Sequence, residues 1–314
     1  MTLAAIVIGR NEGKRLVRCI QSLQGQVDKI IYVDSGSTDG SVKAAQDLGA
    51  ITIDLDMSVP FTAARARNAG LSNLSASEEF VQVIDGDCEL HSQWLGGAVE
   101  FLKSHPDIAM VAGRLHERFP QKTIWNKLAD AEWSTAVGDT DAVGGIALLR
   151  KSAIDAAGGY RSDMIAGEEP ELCLRLRRQG WKIHRLAQDM AWHDIEMTRI
   201  SQWWKRCRRG GHAFAEGAAL HGRGPERYRV REVRRSLFWG LGIPLMAVLG
   251  SFFTVWSLVI LLAWPLQVLR LKRTGLSWVH SFFLTLSKIP EAQGIVGFWM
   301  SGLRGRRRRL IEYK

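Results

Sequence analysis

Along the first 115 residues the apolar positions come in short Ile- and Val-rich runs, at 3–8, 29–33, 51–55, 80–84 and 108–112, which read as β-strands. Between them, around 13–24, 39–48, 61–74 and 91–104, apolar residues recur at three- and four-residue spacing, the period of a helix with one buried face. Strand–helix alternation at this pitch predicts βαβ units and a mostly parallel sheet. Ligands of such sheets sit beyond the carboxyl ends of the strands. Residues 116–200 are less regular: Gly144-Gly145 precede an apolar run at 146–149, and Gly158-Gly159-Tyr160 mark a turn. Gly167-Glu168-Glu169-Pro170-Glu171 opens a helix, with proline and acids where the helix dipole favours them. Further on, residues 237–269 are mostly apolar and carry no charge.

The strand ends hold the chemistry. After the first run comes Gly9-Arg10-Asn11-Glu12-Gly13, after the second Asp34-Ser35-Gly36-Ser37-Thr38-Asp39-Gly40, and after the fourth Asp85-Gly86-Asp87. All three are expected on one edge of the sheet. No GxGxxG follows the first strand, so a dinucleotide-binding domain loses its main support. Asp85 and Asp87 give two hard oxygen ligands suited to Mg2+ or Mn2+ on a diphosphate, against the plainer reading of an Asp-Gly turn. Asp34 is placed to accept hydrogen bonds from a nucleobase or ribose; the same segment also reads as a helix start capped by Ser37 or Asp39. Glu168-Glu169 supplies a general base for a sugar hydroxyl, or simply stabilises a helix N-terminus. His193 reaches either a metal or diphosphate, or packs as an ordinary histidine. Gln202-Trp203-Trp204-Lys205-Arg206 with Arg208-Arg209 reads as an interfacial amphipathic helix.

Composition narrows the classes. Apolar content of 46% and charged content of 24% rule out global disorder. Cys19, Cys88, Cys173 and Cys207 lie far apart with no CxxC pair, which points away from a disulfide scaffold or a cysteine-rich zinc site and toward a reducing compartment. The net charge of +10 divides into −5 over residues 1–200 and +15 over 201–314. Positive charge therefore tracks the uncharged run and not the strand–helix region, which favours a membrane surface over nucleic acid. The run at 3–8 is too short for the apolar region of a signal peptide.

Taken in order, these motifs resemble an inverting glycosyltransferase of family 2 with the GT-A fold. The matches are Ile6-Val7-Ile8-Gly9-Arg10-Asn11-Glu12, Val33-Asp34-Ser35-Gly36-Ser37-Thr38-Asp39-Gly40, Ala66-Arg67-Asn68-Ala69-Gly70, Asp85-Gly86-Asp87, and Gly167-Glu168-Glu169 followed by Leu174-Arg175-Leu176 and Gly180-Trp181. The resemblance implies an α/β, Rossmann-like nucleotide-sugar-binding domain over 1–200. A basic amphipathic interface segment over 201–236 and a membrane-associated helical region with a basic tail over 237–314 would follow.

It further implies that Asp34 contacts the uracil or ribose of the donor. Arg10, Asn11, Glu12, Ser35, Ser37, Asp39, Arg67, Asn68, Asp85 and Gly86 would complete the donor site. Asp87, Asp85 and His193 would hold Mg2+ or Mn2+, and His193, Arg206 and Arg209 would meet the diphosphate. The family's acidic pair is usually Glu-Asp; here it is Glu168-Glu169, one methylene longer, with Glu169 as the base. Many members have Pro where Gly9 stands. Processive members carry Gln-x-x-Arg-Trp, whereas this chain has Lys205 and Arg206 at those last two places. One sugar per encounter, from a UDP-sugar to a lipid-linked or envelope-glycan acceptor, is the expected reaction, at the cytoplasmic face of a bacterial inner membrane. A polyprenyl-phosphate sugar synthase and a non-catalytic nucleotide-binding scaffold are the competing readings.

A helix crosses a bilayer with about 20 apolar residues, so the run at 237–269 is long for one pass and short for two. Arg227, Arg229, Arg231, Arg234 and Arg235 precede it, and Arg270, Lys272 and Arg273 follow. Positive charge on both flanks keeps both on the cytoplasmic side. A hairpin or re-entrant element, broken near Gly250-Ser251 or at Pro244 and Pro265, is the expected form. A weaker apolar stretch at 276–303, interrupted by Lys288, Pro290 and Glu291, is expected to lie in the interface, with Arg304 and Arg306 to Arg309 meeting anionic headgroups.

Overall fold

The computed structural model describes residues 2–303; the arginines from Arg304 onward lie outside the described residues. The chain forms two compact units, the first ending at Met197 and the second beginning at Thr198.

The first unit runs β1 (Thr2–Gly9), α1 (Lys14–Leu23), β2 (Lys29–Asp34), α2 (Ser41–Asp47), β3 (Ile51–Asp54), α3 (Ala63–Leu71), β4 (Glu78–Asp85), β5 (Cys88–Leu90), α4 (Trp94–Ser104), β6 (Ile108–Glu117), α5 (Ile124–Trp133), β7 (Gly138–Asp139), β8 (Ala147–Arg150), α6 (Lys151–Ala156), α7 (Glu168–Arg178) and β9 (Lys182–His193). All nine strands join one sheet in the order β3-β2-β1-β4-β8-β6-β9-β5, with β7 on β9. The part that carries the early motifs, β3-β2-β1-β4, is parallel throughout. Beyond it the sheet is mixed: β8 runs antiparallel to both β4 and β6, while β6 and β9 are parallel. The mostly parallel sheet expected from the pattern thus holds for its first half only. β8 is four residues long, too short for its pattern to reveal direction.

The strands bury both faces, as parallel strands covered by helices do. Residues Ala4 to Val7, Ile31 to Val33 and Met110 to Val111 are fully enclosed. Leu16, Cys19, Ile20 and Leu23, at helical spacing on α1, close one side of this core. A polar pair inside it is satisfied: Trp94 Nε1 donates to Gln82 Oε1 at 2.8 Å.

The second unit is helical: α8 (Ile200–His221), α9 (Val230–Leu237), a π-helical turn (Phe238–Gly242), α10 (Ile243–Ser251), a 3-10 segment (Val255–Leu262) continuing into α11 (Ala263–Arg273), α12 (Trp278–Leu286) and α13 (Lys288–Leu303). Helices α8 and α13 cross closely because Gly211 and Gly294 sit at the crossing. A Cβ on either would stand 2.0 Å from a carbonyl oxygen of the other helix, Glu291 O and Arg208 O respectively. Ile295 and Phe298 of α13 pack on Ala215 and Val233. The stretch expected to lie in an interface thus spends much of α13 on α8, although Trp278, Phe282 and Trp299 remain exposed.

The expected break near Gly250-Ser251 is present: α10 ends at Ser251 and the chain reverses, Ser257 Oγ donating back to Ala247 O at 3.2 Å. Pro244 and Pro265 instead sit in the first turns of α10 and α11, where a missing N–H is tolerated. Among the described residues one helical element, Val255–Arg273, has the length and apolarity to cross a membrane, and none of its apolar window is buried.

Candidate active site

Strand register sets the frame of the site. Ile8 lies level with Asp85 and Gly9 with Asp34, so the first, second and fourth strands end side by side. The loops after β1 and β2 are tied together. Asn11 N donates to Ser37 Oγ at 2.9 Å, and Asn11 Oδ1 accepts from Thr38 N at 2.7 Å. Asn11 takes a positive φ of 55°, which its short polar side chain tolerates. Arg10 is exposed beside this loop, and Glu12 pairs with Arg15 at 2.8 Å.

Asp34 is buried, and its carboxylate organises the loop that follows. Oδ1 accepts from Tyr32 Oη at 2.7 Å, and Oδ2 from the amides of Gly36 and Ser37 at 2.9 and 2.7 Å. The buried Ser35 hydroxyl has no hydrogen-bond partner among the described residues. Asp39 faces helix α2, accepting from Ser41 N and Ser41 Oγ at 3.1 and 2.6 Å. Burial raises its pKa, but these bonds outweigh that and hold the carboxyl below its ordinary value. The N-cap of α2 is Gly40, with no side-chain cap, so neither Ser37 nor Asp39 caps the helix as expected; Asp39 instead ties the turn before it to Ser41.

Helix α3 delivers Arg67 into a group of carboxylates. Its guanidinium lies 2.9 Å from Glu168, 2.9 Å from Glu169 and 3.1 Å from Asp85, with the Tyr160 ring 5.5 Å away on one face. Burial disfavours the charged guanidinium, yet Glu169, Asp85 and Glu168 more than compensate and raise its pKa well above the ordinary value. Asp85 moves upward as well. Burial is the main cause, Arg67 opposes it, and Asp87 and Glu169 add to it. The next residue on α3, Asn68, turns away from this group: its amide clamps Tyr160 through O at 2.6 Å and N at 2.9 Å.

Asp87 is buried and meets His193 at the end of β9, Oδ2 to Nε2 at 3.1 Å. Cys88 completes a cluster whose ligand atoms all lie within 4.8 Å of one another. The His193 ring stacks on Trp133 at 4.6 Å, and its Nδ1 is buried with no hydrogen-bond partner among the described residues. Gly86 N donates to Ile8 O at 2.8 Å and so fixes the turn between the two aspartates.

Three contributors were not singled out as site residues by sequence. Gly145 fits between Arg67, Glu169 and Asp85; a Cβ there would lie 2.4 Å from Arg67 Nη2 and 3.0 Å from Glu169 Oε1. Its only signal was the Gly-Gly pair before β8. Tyr160 was visible only as part of a turn, and Trp133, 60 residues from His193, gave no signal.

Arg206 and Arg209 belong to the second unit, one turn apart on α8. The residues around them serve the fold of that unit. Gln202 Oε1 accepts from the amides of Thr198 and Arg199 and caps α8. Trp203 is buried edge-on to Phe283, and Trp204 Nε1 donates to Gln293 Oε1 at 2.9 Å.

The parallel β3-β2-β1-β4 array with a carboxylate-lined carboxyl edge defines a Rossmann-like GT-A fold. Residues 4–158 match the model of glycosyl transferase family 2, and the chain belongs to that family. Over 238 residues it is 27% identical to the pre-mycofactocin glycosyltransferase of Mycobacterium tuberculosis, a stretch covering 70% of this chain and 48% of that protein. It is 25% identical over 210 residues to the poly-beta-1,6-N-acetyl-D-glucosamine synthase of Staphylococcus aureus, covering 62% of this chain and 50% of that one. The chain thus spans about half the length of these curated relatives. In fold it is similar to mannosyltransferase PcManGT from Pyrobaculum calidifontis, solved in complex with GDP-Man and Mn2+. The TM-score is 0.64 at 16% identity, over 94% of this chain and 87% of that one.

Proposed function

We propose that this glycosyltransferase moves one sugar, with inversion, from a nucleotide-sugar, a UDP-sugar foremost, to a lipid-linked or envelope-glycan acceptor. The observation that carries this reading is the shared cluster of Arg67, Asp85, Glu168 and Glu169, set against Asp87–His193 at the carboxyl edge of the parallel strands. Glu169 is the member of the acidic pair with solvent access, 15% exposed against 3% for Glu168. It accepts the proton of the acceptor hydroxyl as that oxygen attacks the anomeric carbon. Glu168, enclosed against Arg67, holds the guanidinium in place. A single in-line displacement of this kind inverts the anomeric centre.

A divalent cation, Mg2+ or Mn2+, fits the donor set. Carboxylate oxygens of Asp87 and Asp85 are hard ligands, and the His193 imidazole suits Mn2+ as well. Three carboxylates meet one guanidinium here, so the edge is formally negative and a poor host for a diphosphate without added positive charge. When bound, the cation would neutralise the diphosphate and its developing charge as the leaving group departs. Arg10 and the Asn11–Ser37 loop pair border the nucleotide end, where Asp34 and the unsatisfied Ser35 hydroxyl offer hydrogen bonds. Arg206 and Arg209 remain proposed contacts to the diphosphate.

Membrane association is part of the proposal. Phe252 and Phe253, at the tip of the helical hairpin, are 80% and 91% exposed, and Val255 and Trp256 beside them 68% and 77%. Basic residues stand where both arms end, in α9 and at the end of α11. The hairpin would therefore enter the bilayer tip first from the cytoplasmic side, leaving both basic ends at the headgroups.

The test is nucleoside-diphosphate release from a panel of UDP- and GDP-sugars by detergent-solubilised protein, with Mn2+ or Mg2+ and a lipid extract as acceptor. Release from one donor, lost in Asp87→Ala and Glu169→Gln, with an inverted anomeric centre by NMR, is the expected result. Release that survives Glu169→Gln would instead favour a phosphate acceptor, which needs little base catalysis. Failure to bind any donor would leave the scaffold reading.

A further inference from the structure

Within the second unit, α9, the π turn, α11 and the junction of α12 with α13 line an open cleft of about 50 Å3. Its lining is divided by chemistry: Arg235, Lys288 and Gln267 are polar, while Trp239, Leu271 and Leu284 form apolar walls. Lys288 is 6% exposed and is neutralised by Glu291, whose two oxygens each lie 2.7 Å from Nζ. Glu291 is saturated further by the hydroxyls of Ser236 and Ser287. Arg235 has no such partner among the described residues, which leaves the cleft one positive charge without a carboxylate beside it. The Gln267 amide is also without a hydrogen-bond partner among the described residues.

Two buried donors on the same helices are unsatisfied as well. Trp264 Nε1 stands one turn before Gln267, and Ser281 Oγ, on a fully enclosed residue, one turn before Leu284. Trp264 and Ser281 lie outside the lining of the cleft, so its available donors are the Arg235 guanidinium and the Gln267 amide, a pair suited to an anion. The apolar walls call for hydrocarbon beside that anion. The outer face of α11 supplies a path for such a chain, since Leu266 and Leu269 are 63% and 41% exposed.

We propose that this cleft binds the phosphate of a phosphate-bearing lipid. The Arg235 guanidinium forks onto the phosphate oxygens, Gln267 adds a donor, and the hydrocarbon runs between Trp239 and Leu271 onto the exposed face of the hairpin arm. The inference rests on the membrane-associated reading given above. The same chemistry is offered by a membrane phospholipid and by a polyprenyl-phosphate carrier.

The full chain, purified in detergent and delipidated, is titrated by native mass spectrometry with dioleoyl phosphatidic acid, farnesyl phosphate, dioleoylglycerol and inorganic phosphate. One equivalent of a phosphate-bearing lipid should be retained and dioleoylglycerol should not. Arg235→Gln, at an exposed position, and Gln267→Leu should each weaken retention about tenfold. Preference for phosphatidic acid would identify the site with membrane lipid, and preference for farnesyl phosphate with a carrier. Equal retention of dioleoylglycerol, no change in Arg235→Gln, or displacement of lipid by an equal concentration of inorganic phosphate would each overturn the proposal. Flotation on phosphatidylglycerol vesicles separates the two failures: a chain that floats but retains no lipid loses this site alone, and one that does not float loses the membrane reading beneath it.

Discussion

Arg67 is enclosed with Glu168, Glu169 and Asp85 around it, so three carboxylates depend on one cation that water does not reach. Replacing it with methionine leaves the enclosed Glu168, and the partly exposed Glu169 and Asp85, without a counterion. Arg67→Met should lose about 3–5 kcal/mol of stability, read from urea unfolding of the full chain. Arg67→Lys should recover only part of this, because an ammonium cannot fork between carboxylates as a guanidinium does. Glu169→Gln removes a proton acceptor but keeps the shape. It should lower kcat by roughly 100- to 10,000-fold with a hydroxyl acceptor while changing donor KM little. A comparable loss in KM would mean that Glu169 binds the donor and does not act as base.

At the scale of elements, Asp39 separates a fold role from a donor role. Its carboxylate accepts from the amide and hydroxyl of Ser41 in the turn that leads into α2, so Asp39→Ala should cost about 1 kcal/mol, as a lost hydrogen bond does. Because the folded-state pKa is depressed, that contribution is present in full above the ordinary value of 3.8 and disappears as the pH falls through the lower folded value. Thermal melts of wild type and variant should therefore differ at pH 7 and converge in acid below pH 3.8. A constant gap across that range would show that the carboxylate charge is not involved.

The same scale explains what the sequence disclosed. β1, β2 and β4 and the helices between them were legible because each buries its residues with a regular period, and the register that levels Asp34 with Gly9 follows from three parallel strands. The positions of Asp85, Asp87 and Glu168-Glu169 were legible because each sits at the end of such an element. Partners were not. Asp87 meets His193 and Arg67 meets Glu168 across about 100 residues, distances that only the closed sheet brings together. The second half of the sheet was misread because β8 is short. Gln202 and Trp203 matched an interface pattern, yet a cap and a helix contact use the same residue types.

Over the whole molecule, the acidic first 200 residues and the strongly basic remainder fit the proposed division of chemistry and membrane association between different units. The proposed anchorage is open to a sharp test, because two adjacent, highly exposed phenylalanines, Phe252 and Phe253, stand at a chain reversal. Each fully buried Phe gains about 1.5–3 kcal/mol over the same side chain in water, so the pair accounts for about 3–6 kcal/mol if both enter hydrocarbon. Phe252→Ser with Phe253→Ser should then reduce partition onto phosphatidylglycerol vesicles by roughly 100-fold or more. Raising salt should reduce binding of the double variant further, because screened basic residues are then its main attraction. Wild type should resist the same salt, since the inserted tip does not depend on charge. Nucleoside-diphosphate release in detergent should persist in the variant, because neither phenylalanine belongs to the unit that carries Asp87 and Glu169. If instead the double variant bound vesicles as wild type does, the hairpin would lie outside the hydrocarbon and the basic flanks alone would hold the protein at the surface.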